Sequence, residues 1–248
     1  MLKGFRVNIL EMGSSAGKQS SSQVQHYNEN QPWGSTTYEV VPGSYISFHT
    51  DHQLVEFITN PTYGRMLFLD GVLQSTRSDQ HIYHEALLNC GKGKLGNVLI
   101  AGGAEGDLAA LCLNRGASHV QMNDWDSQLV YHIQRVEKWN PELWANPKFS
   151  YSSKDIVRFC EETAQSFDTV FLDLLDVDSE HDKAQMRSIL HWVQMVCEPT
   201  ATVVLNIGRC KETAETFADL LGDRSKVCEM SVPSFQETWY FVHCEKGE

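Results

Sequence analysis

The stretch Val98-Leu-Ile-Ala-Gly-Gly-Ala-Glu-Gly-Asp107, continued by Leu108-Ala-Ala-Leu-Cys-Leu113, decides how the rest of the chain is read. Residues 98–101 form a short apolar run of the kind that makes a buried strand. Gly102, Gly103 and Gly106 then make a tight turn, and the apolar residues after Asp107 predict a helix that stops at Gly116. Strand, Gly-rich turn and helix form the nucleotide-cradling unit of open α/β folds, because glycines let a ligand approach the backbone closely. Alone the motif is weak, since a Gly-rich turn between any strand and helix looks much the same.

Working outward, strands and helices alternate from residue 97. Strands are predicted at 97–101, 119–123, 168–172 and 201–207, and helices at 107–115, 127–138, 155–164, 183–197 and 211–222. This is the pattern of a mainly parallel sheet covered on both faces. The runs 228–232 and 238–243, joined by a short Pro-containing link, predict an antiparallel hairpin at one sheet edge. Upstream, short β-branched and aromatic runs at 37–41, 45–48, 54–58 and 65–69 are separated by Pro42-Gly43, Asn60-Pro61 and Asp70-Gly71. They predict a small antiparallel β-domain over 36–77, closed by a hairpin at Asp70-Gly71. Ser78-Asp79 suits the cap of a helix over 80–89. Residues 1–10 predict a short strand and 11–33 a polar Ser/Gln-rich arm, so the chain divides at 1–35, 36–77 and 78–248.

Composition narrows the function classes. The 248 residues are 42% hydrophobic, as in a soluble globular protein, and no apolar run is long enough to span a bilayer. The first residues lack the apolar stretch of a signal peptide. A net charge of -12 argues against nucleic acid as a partner and suits a cationic small molecule. The seven cysteines (90, 112, 160, 197, 210, 228, 244) are scattered, with no CxxC pair. They predict buried free thiols in a reducing, cytoplasmic compartment, and argue against a zinc site or a disulfide framework.

In open α/β sheets ligands bind beyond the carboxyl ends of the strands. Glu105 and Asp107 follow the first strand, Asp124 and Asp126 the second; Asp155 comes next, then Asp173, Asp176 and Asp178. Their mutual repulsion would be costly unless a cation occupied the cleft. An acidic residue about 20 positions beyond the Gly-rich turn suits a ribose diol; Asp124 is assigned that role and Asp126 the cap of the following helix. Asp155 suits either an adenine amino group or a plain helix cap. Asp173 is read against two alternatives, a strand-end turn residue or a metal ligand. No histidine shares its loop, and metal-ligand spacing is absent, so no metal is expected.

These residues resemble a known family, the polyamine aminopropyltransferases (spermidine and spermine synthases), over roughly residues 36–243. The most specific part is Tyr63-Gly-Arg-Met-Leu-Phe-Leu-Asp-Gly-Val-Leu-Gln74 followed by Asp79 and Tyr83-His-Glu85, which is similar to the family's Y-G-x-x-L-x-L-D-G-x-x-Q…D-E-x-x-Y-H-E. Gly102-Gly-Ala-Glu-Gly106 resembles G-G-G-D-G, Asp124-Trp-Asp126 resembles E-x-D, and Asp173-Leu-Leu-Asp176 resembles D-S-S-D or the D-L-T-A of spermine synthases. Val232-Pro-Ser-Phe-Gln-Glu-Thr-Trp239 is closer to the spermine synthase form than to the spermidine synthase form.

The resemblance implies a Rossmann-like, S-adenosylmethionine-dependent methyltransferase type of α/β fold behind a small N-terminal antiparallel β-domain. It implies transfer of an aminopropyl group from decarboxylated S-adenosylmethionine, a co-substrate, to putrescine or spermidine, releasing methylthioadenosine. No prosthetic group and no metal are implied, and a homodimer is. Asp173 matches the base, with Tyr83 and Asp176 beside the reacting amine. Gln74, Gly102, Gly103, Glu105, Asp124 and Asp155 match the donor site. Asp79, His84 and Glu237 match the acceptor side, Glu237 as a distant anchor for a long amine. Four positions depart from the pattern: Glu105 for Asp, Asp107 for Gly, Asp124 for Glu, and Val177 for Pro. Two other functions fit the same fold: an S-adenosylmethionine-dependent methyltransferase, and a catalytically silent paralogue binding polyamine or nucleoside.

Overall fold

The computed structural model describes residues 25–31, 34–91, 93, 95–174 and 176–245. The strand expected at 1–10 and most of the polar arm lie outside these. The centre of the molecule is a seven-stranded sheet, built from β7 (Asn97–Gly102), β8 (His119–Asn123), β9 (Phe149–Ser152), β10 (Phe167–Asp173), β11 (Cys197–Gly208), β12 (Ser225–Ser231) and β13 (Thr238–Glu245). Its spatial order is β12-β13-β11-β10-β7-β8-β9. The five strands from β11 to β9 run parallel. β12 and β13 form the expected antiparallel hairpin at one edge. The chain runs outward from β7 to β9 and then returns to lay β10 on the other side of β7. That reversal opens a crevice beyond the carboxyl ends of β7 and β10.

Helices cover both faces of this Rossmann-like sheet. α4 (Ile156–Glu162), α5 (Glu180–Met195) and α6 (Lys211–Leu221) bury Phe159, Met186, Val193 and Phe217 against Val170, Leu172 and Leu205. α1 (Gln80–Gly91) and α2 (Asp107–Asn114) bury Leu87, Leu88, Leu108 and Cys112 against Val98, Ile100 and Phe171. α3 (Ser127–His132) continues into a π turn over Ile133–Glu137, so the helix predicted at 127–138 is a continuous but locally widened one. Asp126 caps it, accepting from the Leu129 N–H at 3.0 Å.

In front stands a four-stranded antiparallel sheet of β3 (Ile46–His49), β4 (Leu54–Asn60), β5 (Gly64–Leu69) and β6 (Val72–Thr76). It is buried on both sides, because period-two alternation sends Val55, Phe57 and Leu67 toward α3 and Ile58, Met66 and Phe68 to the opposite face. That opposite face is covered by a separate two-stranded hairpin, β1 (His26–Gln31) with β2 (Gly34–Glu39). The run at 37–41 therefore belongs to its own ribbon rather than to the four-stranded sheet, and residues 26–31, read as part of a polar arm, are a strand. The ribbon is pinned by hydroxyl-to-carboxylate bonds, Tyr27 to Glu56 at 2.7 Å and Tyr38 to Glu29 at 2.9 Å.

Two further expectations are corrected. Cys90 at the end of α1 and Cys228 on β12 are joined by a disulfide across 138 residues, with Cα atoms 6.1 Å apart. The helix end and the edge strand are held side by side, which no local spacing of cysteines reveals. Cys112, Cys160, Cys197, Cys210 and Cys244 are free, as expected. The Asp79 carboxylate does not cap α1. It accepts from Thr76 Oγ1 at 2.6 Å and from both the backbone N–H and the hydroxyl of Ser234, 155 residues away. No helix among the described residues is long and apolar enough to cross a membrane.

Candidate active site

The crevice beyond β7 and β10 holds a cavity of about 620 Å³. Its floor exists because residue 102 is glycine. Asp173 pairs with Gly102 at the ends of the two strands, Gly102 has φ +88°, and a Cβ there would collide with the Asp173 carbonyl oxygen. Asp173 is thereby delivered to the cavity beside the Gly-rich turn.

Seven acidic residues around the crevice, Asp79 among them, separate into two groups. Three are absorbed by the fold. Asp107 takes Arg77 at 2.5 Å and Asn140 at 2.8 Å, and the Arg77 guanidinium lies 4.7 Å from the Trp139 ring centre. Asp126 accepts from Thr50, Gln53 and the start of α3. Asp79 is bound to Thr76 and Ser234 as above, and it touches the cavity only from behind those bonds. Four others, Glu105, Asp124, Asp173 and Asp176, line the cavity, and the pKa of each is raised chiefly by burial. Glu105 is pushed up to about 7, with Asp107, Asp173 and Asp124 adding to the rise. Asp124 and Asp176 are each raised to about 6. A cavity in which several carboxylates resist ionisation favours a bound cation, which stabilises their charged forms.

Tyr83 on α1 donates its hydroxyl to Asp173 Oδ1 at 2.5 Å. The ring is held edge-on by Phe241 and Phe235, with centroids 5.3 and 6.0 Å away. Burial first, then the adjoining Asp173, keeps the phenol neutral and a donor. His84, the next residue, is buried and bonded through Nδ1 to Gln80 at 2.7 Å; desolvation lowers its pKa and keeps it neutral. Gln74 is exposed at the rim, where its amide donates to the Val72 carbonyl at 3.3 Å. Asp155 caps α4, accepting from the Val157 and Arg158 N–H groups, and it also lines the cavity. Asp124 Oδ1 accepts from the Asp126 N–H at 3.0 Å, and Asp124 lines the cavity with Gly103.

Glu237 is the exception. It lies in an adjoining cavity of about 210 Å³ rather than in the large one. Sequence reasoning missed Asn206, Trp239 and Arg209. Asn206, at the end of β11, accepts from the Trp239 indole at 2.8 Å and donates to Asp176 at 3.3 Å. Its signal was an amide inside an otherwise apolar strand. Arg209 contacts Asp176 at 3.2 Å, Asp178 at 3.8 Å and Glu237 at 3.6 Å.

Residues 80–248 match the family model described as the spermine/spermidine synthase domain, and residues 47–77 match the spermidine synthase tetramerisation domain. Among curated proteins, the polyamine aminopropyltransferase of Sulfurisphaera tokodaii is 33% identical over 207 residues, covering 78% of this chain and 68% of the relative. That of Shigella boydii is 27% identical, covering 73% and 67%. That of Klebsiella pneumoniae is 31% identical over 160 residues, covering 60% and 56%. The alignments thus span between about half and two thirds of these relatives. Among solved structures, spermidine synthase from Thermotoga maritima superposes with a TM-score of 0.78 at 15% identity, over 96% of this chain and 83% of the other. A spermidine synthase in complex with the transition-state analogue AdoDATO gives 0.78 at 16%, over 96% and 84%. At these identities the two structures establish the fold.

Proposed function

The chain belongs to the spermine/spermidine synthase family, the polyamine aminopropyltransferases, and on that premise we propose that it transfers an aminopropyl group from decarboxylated S-adenosylmethionine to a polyamine acceptor. The observation that carries the proposal is the set of Glu105, Asp124, Asp173 and Asp176 around one cavity, with the base, Asp173, fixed by Tyr83. A polyamine and a sulfonium donor are both cations, and each ammonium is best met by a charge-assisted bond to a carboxylate.

The reaction needs a neutral amine, although an alkylamine has a pKa near 10.4. Its nitrogen lone pair forms a bond to the propyl carbon attached to sulfur. The carbon–sulfur bond breaks, and sulfur keeps the electron pair as the neutral thioether of methylthioadenosine. Asp173 takes the proton from the attacking nitrogen. Burial makes it a stronger base than an exposed aspartate, and the Tyr83 hydroxyl holds its orientation. In this scheme Asp124 accepts from the donor's ribose, Gln74 and Glu105 face its aminopropyl tail, and Asp155 stands by the adenine. Gly102 and Gly103 let the nucleoside lie close to the backbone. Asp176 meets a further ammonium of the acceptor, and neutral His84 supports the wall behind Tyr83. The named complex of a structural relative with AdoDATO supports this donor class. The match of 47–77 to a tetramerisation domain supports assembly of identical copies, a homodimer at least.

The test is an end-point assay with decarboxylated S-adenosylmethionine and, separately, putrescine, spermidine and cadaverine, resolving methylthioadenosine and the amine products. Product with at least one acceptor is expected. Methyl transfer from ordinary S-adenosylmethionine, with no aminopropyl product, would replace the proposal by the methyltransferase alternative.

A further inference from the structure

The large and small cavities share Val72, Leu73, Ser234, Phe235 and Trp239 as walls, so they adjoin at the acceptor end of the cleft. Asp176 lines the large one, Glu237 the small one, and Arg209 contacts both carboxylates. The Arg209 side chain is 19% exposed, and its guanidinium lies 5.2 Å from the Trp239 ring centre. Arginine is always charged, so this cation does not yield by losing a proton. Asp176 accepts from Asn206 on one oxygen and faces Arg209 with the other. A carboxylate has about four lone-pair sites, which leaves room on the cavity side for one ammonium.

We propose that Arg209 sets the length of the acceptor: its guanidinium stands between Asp176 and Glu237, where the third ammonium of a triamine would have to pass, and so the chain selects a short diamine. The inference rests on the aminopropyl-transfer reading and names the substrate class of the same site. A diamine places one nitrogen at Asp173 and its other ammonium at Asp176. A triamine drives a third ammonium onto a guanidinium of like charge, and the carboxylate beyond, Glu237, is already facing that guanidinium. The side chain is reachable from sequence only as an arginine after a strand-end Asn206-Ile-Gly208, with nothing local to show which carboxylates it joins.

The experiment is calorimetric titration of the full chain, saturated with methylthioadenosine, with putrescine and with spermidine. The unaltered protein is expected to bind putrescine at least tenfold more tightly. Arg209→Met keeps an unbranched stem against Trp239 and removes the charge; it is expected to shift the ratio at least tenfold toward spermidine. Adding Glu237→Gln to that variant is expected to reverse most of the shift, because the vacated carboxylate is the new partner. Arg209→Lys, which keeps the charge, is expected to retain the preference for putrescine. Equal affinities in the unaltered protein overturn the proposal whatever the variants do, including when one fails to fold. An unchanged ratio in a folded Arg209→Met protein overturns it as well. Binding is read without turnover, so a chain that binds amines with the stated ratio but forms no methylthioadenosine in the transfer assay would reject the catalytic reading and leave the length selection standing.

Discussion

The two ends of the cleft treat charge differently. Around the Gly-rich turn, Glu105, Asp124 and Asp173 face the cavity, and among the described residues no lysine or arginine forms an ion pair with them. At the far end Arg209 is already seated among Asp176, Asp178 and Glu237. One end presents carboxylates to the cavity and the other holds its own cation. The first arrangement gives attraction for any cationic donor or amine. On the proposed reading the second would turn attraction into discrimination, because a ligand would have to displace or avoid a fixed charge.

The largest effect is expected from Asp173→Asn. We expect transfer to fall by on the order of a thousandfold, the range of a positioned base, while methylthioadenosine binding changes little. Unchanged turnover would remove Asp173 from the chemistry. Next in size is Cys90→Ser, which removes the covalent tie between α1 and β12. We expect a loss of about 2–4 kcal/mol of stability, read by chemical denaturation, with transfer at 25 °C retained by protein that remains folded. A denaturation midpoint indifferent to both the substitution and to reductant would show that the bridge contributes nothing.

A third test uses pH. Carboxylates normally titrate near 4, and here Asp124 and Asp176 titrate at about 6 and Glu105 at about 7. The folded chain therefore binds more protons than the unfolded chain between those values. Their stabilising contribution is complete below about 4 and is lost as pH rises through 6 to 7. A bound polyamine compensates where the carboxylates are ionised, so the thermal shift produced by putrescine should be larger at pH 8 than at pH 5.5. A larger shift at the lower pH would contradict the raised values. The smallest effect is expected from Glu237→Gln with a diamine. Its partner lies 3.6 Å away and its side chain is 39% exposed, so less than about a fivefold change in affinity is expected from a pair of that kind. A tenfold loss with putrescine would place Glu237 in contact with the diamine.

The same contrast explains what the sequence could disclose. The end at the Gly-rich turn is local: Gly102 and Gly103 follow a strand directly, and Asp124 lies a short way downstream. Helices α1, α2, α4, α5 and α6 appear within a few residues of their predicted limits because local start and stop signals, such as Gly91 and Gly116, bound them. The Arg209 end is assembled from afar. Asp79 meets Ser234 across 155 residues, and neither its placement before α1, which suggested a cap, nor its match to the acceptor side pointed to that partner. Arg209 and Glu237 are brought together by the packing of α6 and the edge hairpin. β1 was hidden for a related reason: His26-Tyr-Asn-Glu-Asn-Gln31 reads as polar until Tyr27 finds Glu56 and Glu29 finds Tyr38. The short strand β9, Phe149-Ser-Tyr-Ser152, lacked an apolar run for the same edge-strand reason.

The Cys90–Cys228 bond also changes what the chain is as a molecule. Residues 90–228 become a closed covalent loop carrying β7 through β11 and all the helices from α2 to α6, with the N-terminal sheet and the last hairpin strand as two tails leaving from one knot. A single proteolytic cut anywhere in the loop severs the polypeptide without releasing a fragment. Such a nicked chain keeps its full mass on a denaturing gel until reductant is added, and only then separates into two pieces.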